Sequence, residues 1–288
     1  MVQQTPPAID VRNLAFRYPG APAPLWSGLD LAIPAGARCL LLGANGVGKS
    51  TLLRLIAGRH MIAADVIRVL GRPAFHDTAL AGEVAFLGGP FPFSADISVA
   101  EILAARTVSA AGQRRGERID PARRARVMEI LEIDPAWRMH QVSDGQRRRV
   151  QLLLDLERRL RVILLDEVTA ELDVLSRADL LRFLRAESEE AGVTIVYASH
   201  VLEGLGSWAT HLAFLSPGRL RFFARIDQLG TLAGFPDPPA TDSARKAELR
   251  PRAQALPLAE SLHALCERWM QEDRQAARDA RAGAAPAV

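Results

Sequence analysis

A glycine-rich stretch around residue 45 constrains the fold of this chain more than any other feature. It matches the pattern G-x-x-x-x-G-K-S, with Gly43, Gly48, Lys49 and Ser50 at the fixed positions. An apolar run at residues 39–42 precedes the pattern and a leucine-rich run at residues 52–57 follows it, which predicts a buried strand, a loop and a helix. A phosphate-binding loop requires that order, because its amides and the helix dipole both point at phosphate oxygens.

The loop also predicts which groups contact a nucleotide. We expect the Lys49 ammonium to reach the β- and γ-phosphates and the Ser50 hydroxyl to hold Mg²⁺. Lys49 is one of only two lysines among 36 basic residues, so the chain places a rare compact charge where such a loop needs it. The complete predicted phosphate loop consists of Gly43, Ala44, Asn45, Gly46, Val47, Gly48, Lys49, Ser50 and Thr51.

A second group of candidate residues follows the wholly apolar run at residues 162–165, which predicts a strand buried on both faces. This strand ends in Asp166 and Glu167. We expect Asp166 to share the Mg²⁺ shell with Ser50, and Glu167 to polarise a water for in-line attack on the γ-phosphate. With Lys49, these carboxylates predict a Mg²⁺-dependent hydrolysis of a phosphoanhydride.

The remaining pattern predicts an α/β fold with a mostly parallel core sheet and antiparallel strands near the N-terminus. Alternating or short apolar runs predict strands at residues 9–18, 29–33, 66–70, 84–87 and 193–198, with a closing hairpin at 211–215 and 219–223. Helical spacing of apolar residues predicts helices at residues 99–107, 121–131, 146–160 and 178–191.

The composition changes after residue 230, which predicts one main domain at residues 8–230. A proline-rich polar linker is expected at residues 231–257, and a helix with a frayed tail at residues 258–288. Apolar residues form one stripe on that helix, namely Leu258, Leu262, Leu265 and Trp269. The stripe either docks back on the main domain or binds a partner.

Composition excludes several classes of protein. No run of 18 apolar residues is present, so no transmembrane helix is predicted, and residues 1–7 lack the apolar core of a signal peptide. The formal net charge is only +3, which does not argue for a nucleic-acid partner, although a pI near 9.3 leaves that class open. The two cysteines, Cys39 and Cys266, form neither a disulfide framework nor a metal-binding spacing, so the cytoplasm is the expected location.

Further motifs give the chain its family resemblance. The stretch from Ser143 to Gln146 precedes a predicted helix, His200 ends a strand, and Asp173 follows Glu167 closely. With the phosphate loop and the Asp166 strand, this order of motifs resembles the ATP-binding cassette (ABC) ATPases over about residues 9–230. The family's signature is Leu-Ser-Gly-Gly-Gln, and here Val142-Ser-Asp-Gly-Gln146 stands in its place.

The resemblance implies ATP and Mg²⁺ as cofactors and a two-lobed cassette, whose helical lobe spans about residues 92–158. It implies that Tyr18 stacks on adenine and that His200 contacts the γ-phosphate. It further implies a head-to-tail homodimer that sandwiches ATP. In that dimer the nucleotide held by one phosphate loop is covered by residues of the other copy, namely Ser143, Gly145, Gln146 and Asp173.

Two positions depart from the family pattern. Gly89 stands where the family usually has a glutamine that joins the lobes, and Asp144 replaces a signature glycine. A carboxylate at Asp144 would face the phosphates unless it turns away or pairs with Arg147 or Arg148. These features resemble a subgroup of soluble, non-transporter cassettes, which includes small plant proteins and a fungal factor associated with the mRNA deadenylase and transcription-regulatory complex.

Two functions therefore remain open. The first is a cytoplasmic ATPase that acts as a nucleotide-driven dimeric switch on an unknown protein partner. The alternative is the ATPase subunit of a transporter whose membrane subunits are separate chains. A nucleic-acid factor is disfavoured, because such cassettes usually occur in pairs or carry a long insertion. The arginine run at residues 147–149 is interpreted as a solvated helix start.

Overall fold

A computed structural model describes residues 6–89, 95–109, 119–168, 172–200, 205–229 and 258–283. In chain order its strands are β1 (Ile9–Phe16), β2 (Trp26–Ile33), β3 (Arg38–Leu42), β4 (Ile67–Val69), β5 (Arg72–Pro73), β6 (Val84–Leu87), β7 (Val162–Asp166), β8 (Thr194–Ala198), β9 (His211–Ser216) and β10 (Arg219–Arg225). Its α-helices are α1 (Lys49–Ile56), α2 (Val99–Ser109), α3 (Pro121–Ile130), α4 (Asp144–Leu156), α5 (Val174–Ala191), α6 (Ile226–Leu229) and α7 (Leu258–Gly283), and a 3-10 turn covers Thr78–Gly82.

The strands form two sheets, as the sequence predicts. The core sheet has the order β10-β9-β3-β8-β7-β6 and is parallel except for the β9–β10 hairpin. The N-terminal sheet has the order β2-β1-β4-β5 and is antiparallel. Parallel strands place their carboxyl ends at one edge of a sheet, and there the phosphate loop, Asp166 and His200 each follow a strand.

Two hydrophobic clusters cover opposite faces of the core sheet. Helix α1 and the N-terminal sheet cover one face, where Leu52 and Leu53 pack with Ile9 and Trp26. The remaining helices cover the other face. No described helix combines the length and apolar character needed to span a bilayer.

Helices α2, α3 and α4 are tied together by a buried carboxylate. Glu157, at the end of α4, has no exposed surface and accepts hydrogen bonds from Arg106 at 2.6 Å and Arg124 at 2.7 Å. Because a buried carboxylate needs paired charges, this triad fixes the relative positions of the three helices.

The described side chains of helix α7 pack against the β9–β10 hairpin. This part of the apolar stripe therefore docks on the main domain. The Trp269 ring meets the Phe214 ring edge-on, with centroids 4.9 Å apart, and Leu265 is buried. Ser216 Oγ donates a hydrogen bond of 2.8 Å to Asp273 Oδ2. The predicted linker at residues 231–257, and the side chains of Leu258 and Leu262, lie outside the described part.

Two helices begin earlier than the apolar pattern predicts. Helix α4 begins at Asp144 rather than at residue 146, because Ser143 caps it. Helix α5 begins at Val174 rather than at residue 178, because the Asp173 carboxylate accepts from the amides of Leu175 and Ser176. Caps thus set both boundaries.

Candidate active site

Two positions of the phosphate loop have no room for a side chain and therefore require glycine. Gly43 has a φ of +150° and Gly48 a φ of +106°, both in the region that favours glycine. A Cβ at Gly43 would lie 2.4 Å from the carbonyl oxygen of Leu215, and one at Gly48 would lie 2.4 Å from the ring of Trp26. The loop therefore curls tightly between β3 and α1.

Lys49 lies across the mouth of this loop. Its buried ammonium donates to the carbonyl oxygens of Gly43 at 2.8 Å and Ala44 at 3.2 Å. Burial lowers the Lys49 pKa, and the carboxylates of Glu167 and Asp166 oppose that shift. Helix α1 starts with the left-handed Gly48 as its N-cap and has no side-chain cap, so its first amides are suited to an anion.

Ser50 and Asp166 meet at the end of β7, as the sequence predicts. Ser50 Oγ donates to Asp166 Oδ1 at 2.8 Å. Burial raises the Asp166 pKa, the hydrogen bond from Ser50 lowers it, and the nearby charge of Glu167 raises it. A hydroxyl and a carboxylate at this separation form the hard oxygen set that Mg²⁺ prefers when phosphates and water complete its shell.

Glu167 and His200 form a second pair beside the first. The His200 Nδ1 lies 3.1 Å from Glu167 Oε1, and both side chains are partly exposed. Glu167 adopts a left-handed φ of +53°, and its backbone N–H donates a hydrogen bond of 3.0 Å to the carbonyl oxygen of Ala198. Such a φ is unusual for a glutamate, and strain of this kind is concentrated at functional sites.

These residues surround an open cleft of about 510 Å³. The Tyr18 hydroxyl lies 2.9 Å from Thr51 Oγ1, and the Phe16 ring meets Tyr18 edge-on, with centroids 5.0 Å apart. Those contacts hold a half-exposed aromatic ring at the cleft. The lining comprises Tyr18, Leu25, Asn45, Gly46, Gly48, Lys49, Ser50, Thr51, Asp166 and Glu167. Leu25 was missed by the sequence analysis, since nothing in its loop marks it.

The other predicted loop residues contribute from behind the cleft. Gly43 and Ala44 offer their carbonyl oxygens to Lys49, and Val47 is buried in the core beneath the loop. His200 reaches the site through Glu167. The structure therefore brings the phosphate loop, both carboxylates, Tyr18 and His200 to one place.

The signature residues do not line this cleft. Ser143 caps α4 through a reciprocal pair of hydrogen bonds with Gln146, of 3.2 Å and 2.9 Å, and Gly145 lies in the first turn between them. The Asp144 side chain is 89% exposed and pairs with Arg147 at 3.0 Å. The carboxylate therefore points to solvent and is paired with Arg147, which are the two arrangements expected to keep it away from the phosphates.

Asp173 is also placed away from the cleft. Besides capping α5, its carboxylate accepts from Ser176 Oγ at 2.8 Å and forms an ion pair with Arg149 of α4. Hydrogen bonds from the Ser176 amide and hydroxyl lower the Asp173 pKa. Within one copy of the chain, Asp173 links the signature helix to α5, and its role toward nucleotide stays a prediction.

Comparisons with known proteins match this chain to one family. The family model described as ABC transporter matches residues 26–170. The chain is 46% identical to ABC transporter I family member 21 of Arabidopsis thaliana, over 80% of this chain and 82% of the relative. It is 37% identical to CCR4-associated factor 16 of Saccharomyces cerevisiae, over 74% of this chain and 77% of the relative.

A solved structure shares the fold. The dimeric structure of MJ0796, a bacterial ABC transporter cassette, superposes with a TM-score of 0.62 at 20% identity. The match covers 79% of this chain and 100% of the solved chain. At this identity the likeness supports the fold alone.

Proposed function

Because the chain belongs to the ATP-binding cassette family and is an ATPase of that family, we propose that it works as a soluble, nucleotide-driven dimeric switch on a protein partner. The observation that carries the proposal is the meeting of Lys49, the Ser50–Asp166 pair and the Glu167–His200 pair in one cleft. A binding module that had lost hydrolysis would have no need to keep the second pair.

The residues divide the work of hydrolysis. The loop amides and Lys49 hold the β- and γ-phosphates, and the exposed face of Tyr18 suits the adenine. Ser50 and Asp166 would hold Mg²⁺, which neutralises charge on the phosphate oxygens. Glu167 takes a proton from the attacking water as the new P–O bond forms and the bond to ADP breaks. His200 orients Glu167 through their contact of 3.1 Å, and we expect it to contact the γ-phosphate.

A second copy of the chain would complete the site. Ser143 is exposed at the start of α4, a helix of 13 residues whose N-terminal dipole favours an anion. Head-to-tail pairing would bring Ser143, Gly145 and Gln146 over the ATP held by the other copy, with Asp173 beside them. Because ATP would bind the paired form better than the separate chains, nucleotide would control the population of dimers.

A soluble protein partner is favoured over a membrane subunit. The yeast relative is named for its association with CCR4. Gly89 supports the same view, because the position that usually joins the lobes has no side chain. Both cysteines are buried free thiols, which fits a cytoplasmic location. The alternative, a transporter ATPase with separate membrane subunits, draws support from the description of the family model.

Affinity capture separates these functions. Tagged Glu167→Gln protein, held in ATP, would be recovered from gently solubilised cells, and its companions identified by mass spectrometry. We expect soluble proteins in near-equal amount, and their loss when Lys49→Ala is the bait. A polytopic membrane protein in near-equal amount would instead identify a transporter subunit.

A further inference from the structure

The missing glutamine at Gly89 leaves a question of how the two lobes communicate. A side chain from the signature helix reaches this position. The Arg148 guanidinium donates from Nη1 to the carbonyl oxygen of Gly89 at 3.1 Å. The bond joins residues 59 apart in sequence, and it crosses from helix α4 to the end of strand β6.

Arg148 is held in one orientation. Its side chain is buried, with 9% of its surface exposed. The same Nη1 donates to Gln151 Oε1 at 2.6 Å, one helical turn further along α4. Both bonds come from Nη1, so this end of the guanidinium is held between α4 and Gly89, and a movement of α4 shifts the donor against the Gly89 carbonyl.

The other end of the contact lies against a catalytic strand. A Cβ at Gly88 would sit 2.6 Å from the Cβ of Asp166 and 2.9 Å from the ring of Phe86. The backbone at Gly88 therefore contacts Asp166. A displacement of Gly89 would change this contact and so move the Asp166 carboxylate, which is bonded to Ser50 and precedes Glu167.

We propose that Arg148 is a positioning residue that couples the signature helix to Asp166 and Glu167, in place of the family's glutamine. The inference rests on the proposed dimeric function, in which a second copy contacts the start of α4. Pairing shifts α4, Arg148 carries the shift to the Gly88–Gly89 backbone, and the carboxylates reach the geometry that supports hydrolysis. The link uses a main-chain acceptor, so glycine at position 89 suffices.

Steady-state ATP hydrolysis by three variants tests this role. We expect Arg148→Ala to lower kcat by about ten- to hundredfold, which corresponds to losing a charged hydrogen bond, while KM for ATP changes by less than about threefold. Arg148→Lys keeps one donor and should recover much of the loss. The matched control is Arg182→Ala, because Arg182 is an exposed arginine of α5 that pairs with Asp179 and does not line the cleft.

Dimer formation separates this inference from the proposed function. In a Glu167→Gln background, Arg148→Ala should still pair on adding ATP, since the contact lies within one chain. If Glu167→Gln alone fails to pair, the dimeric function is wrong. If pairing is normal and Arg148→Ala, still folded by circular dichroism, keeps the wild-type kcat, the coupling role is overturned. Should Arg148→Ala not fold, Arg148→Met keeps the apolar stem without a donor, and an unchanged kcat in that variant overturns the coupling role.

Discussion

Arg149 of the signature helix forms an ion pair with Asp173, the residue that caps helix α5. The same guanidinium reaches Glu132 at 3.0 Å, beyond the end of α3. One side chain therefore joins the helical lobe to the segment that follows the catalytic strand. Arg148 and Arg149 are neighbours in sequence, yet Arg148 contacts Gly89, after β6, whereas Arg149 contacts Asp173, after β7.

Asp173 is expected to act first as a helix cap. Asp173→Ala should lower the free energy of unfolding by about 1 kcal/mol, because the amides of Leu175 and Ser176 lose their acceptor. Asp173→Asn keeps a capping oxygen and should cost much less. Urea denaturation of both variants measures this. Equal losses of unfolding free energy in the two variants would mean that the ion pair with Arg149, rather than the helix cap, stabilises the fold.

Lys49→Ala should abolish hydrolysis. The ammonium is the compact charge at the mouth of the phosphate loop, and we expect kcat/KM for ATP to fall by at least about a hundredfold. Phosphate release and fluorescent ATP-analogue binding measure the two parts of the loss. Lys246→Ala removes the only other lysine and should behave as wild type. Unchanged turnover in Lys49→Ala would refute the phosphate-loop assignment.

Asp155 should make stability depend on pH. Burial raises its pKa from 3.8 to about 6, against the nearby charges of Arg158, Arg106, Arg59 and Arg148. A carboxyl with a raised folded pKa binds its proton more tightly in the folded chain than in the unfolded chain, so stability falls as pH rises from 3.8 to about 6 and levels off above that. Asp155→Asn should then stabilise the protein by about 1–3 kcal/mol at pH 8.

The direction of the Asp155 pKa shift fixes the pH range in which Asp155→Asn should stabilise the protein. The gain from Asp155→Asn should shrink below pH 6 and vanish below the unfolded pKa of 3.8. Asp144→Asn, on the same helix but exposed, should show no such gain. Thermal unfolding from pH 4 to pH 8 measures both. A gain that is constant across this range would show that desolvation of the carboxylate is not its cause.

The sequence predicts the parts of the site that depend on local pattern. A strand, a loop and a helix specify the phosphate loop, and the end of an apolar strand specifies Asp166 and Glu167. The structure places all of them at the carboxyl edge of the core sheet. A Cβ at Gly43 or Gly48 would collide with its surroundings, so the fold requires glycine at both positions. Those two glycines therefore identify the loop in the sequence.

Other parts depend on contacts between distant residues, which no local pattern encodes. The bond from Arg148 to Gly89 depends on how the helical lobe sits on the core. The stripe on α7 favours docking on the main domain but is also compatible with a partner, because amphipathic spacing does not identify what covers it. The structure shows that the helix docks, because the fold places the Phe214 ring against Trp269. It also brings Ser216 within hydrogen-bond distance of Asp273.

We propose that ATP drives this chain into a dimer and that Glu167 then acts in hydrolysis of the ATP. The most direct test is light scattering of Glu167→Gln with Mg²⁺ and ATP, because this variant should bind ATP and hydrolyse it poorly. We predict a mass twice that of the 31.3 kDa chain with ATP, and the chain mass with ADP or after adding Lys49→Ala to the variant. A variant that binds ATP yet stays at the chain mass would contradict the account.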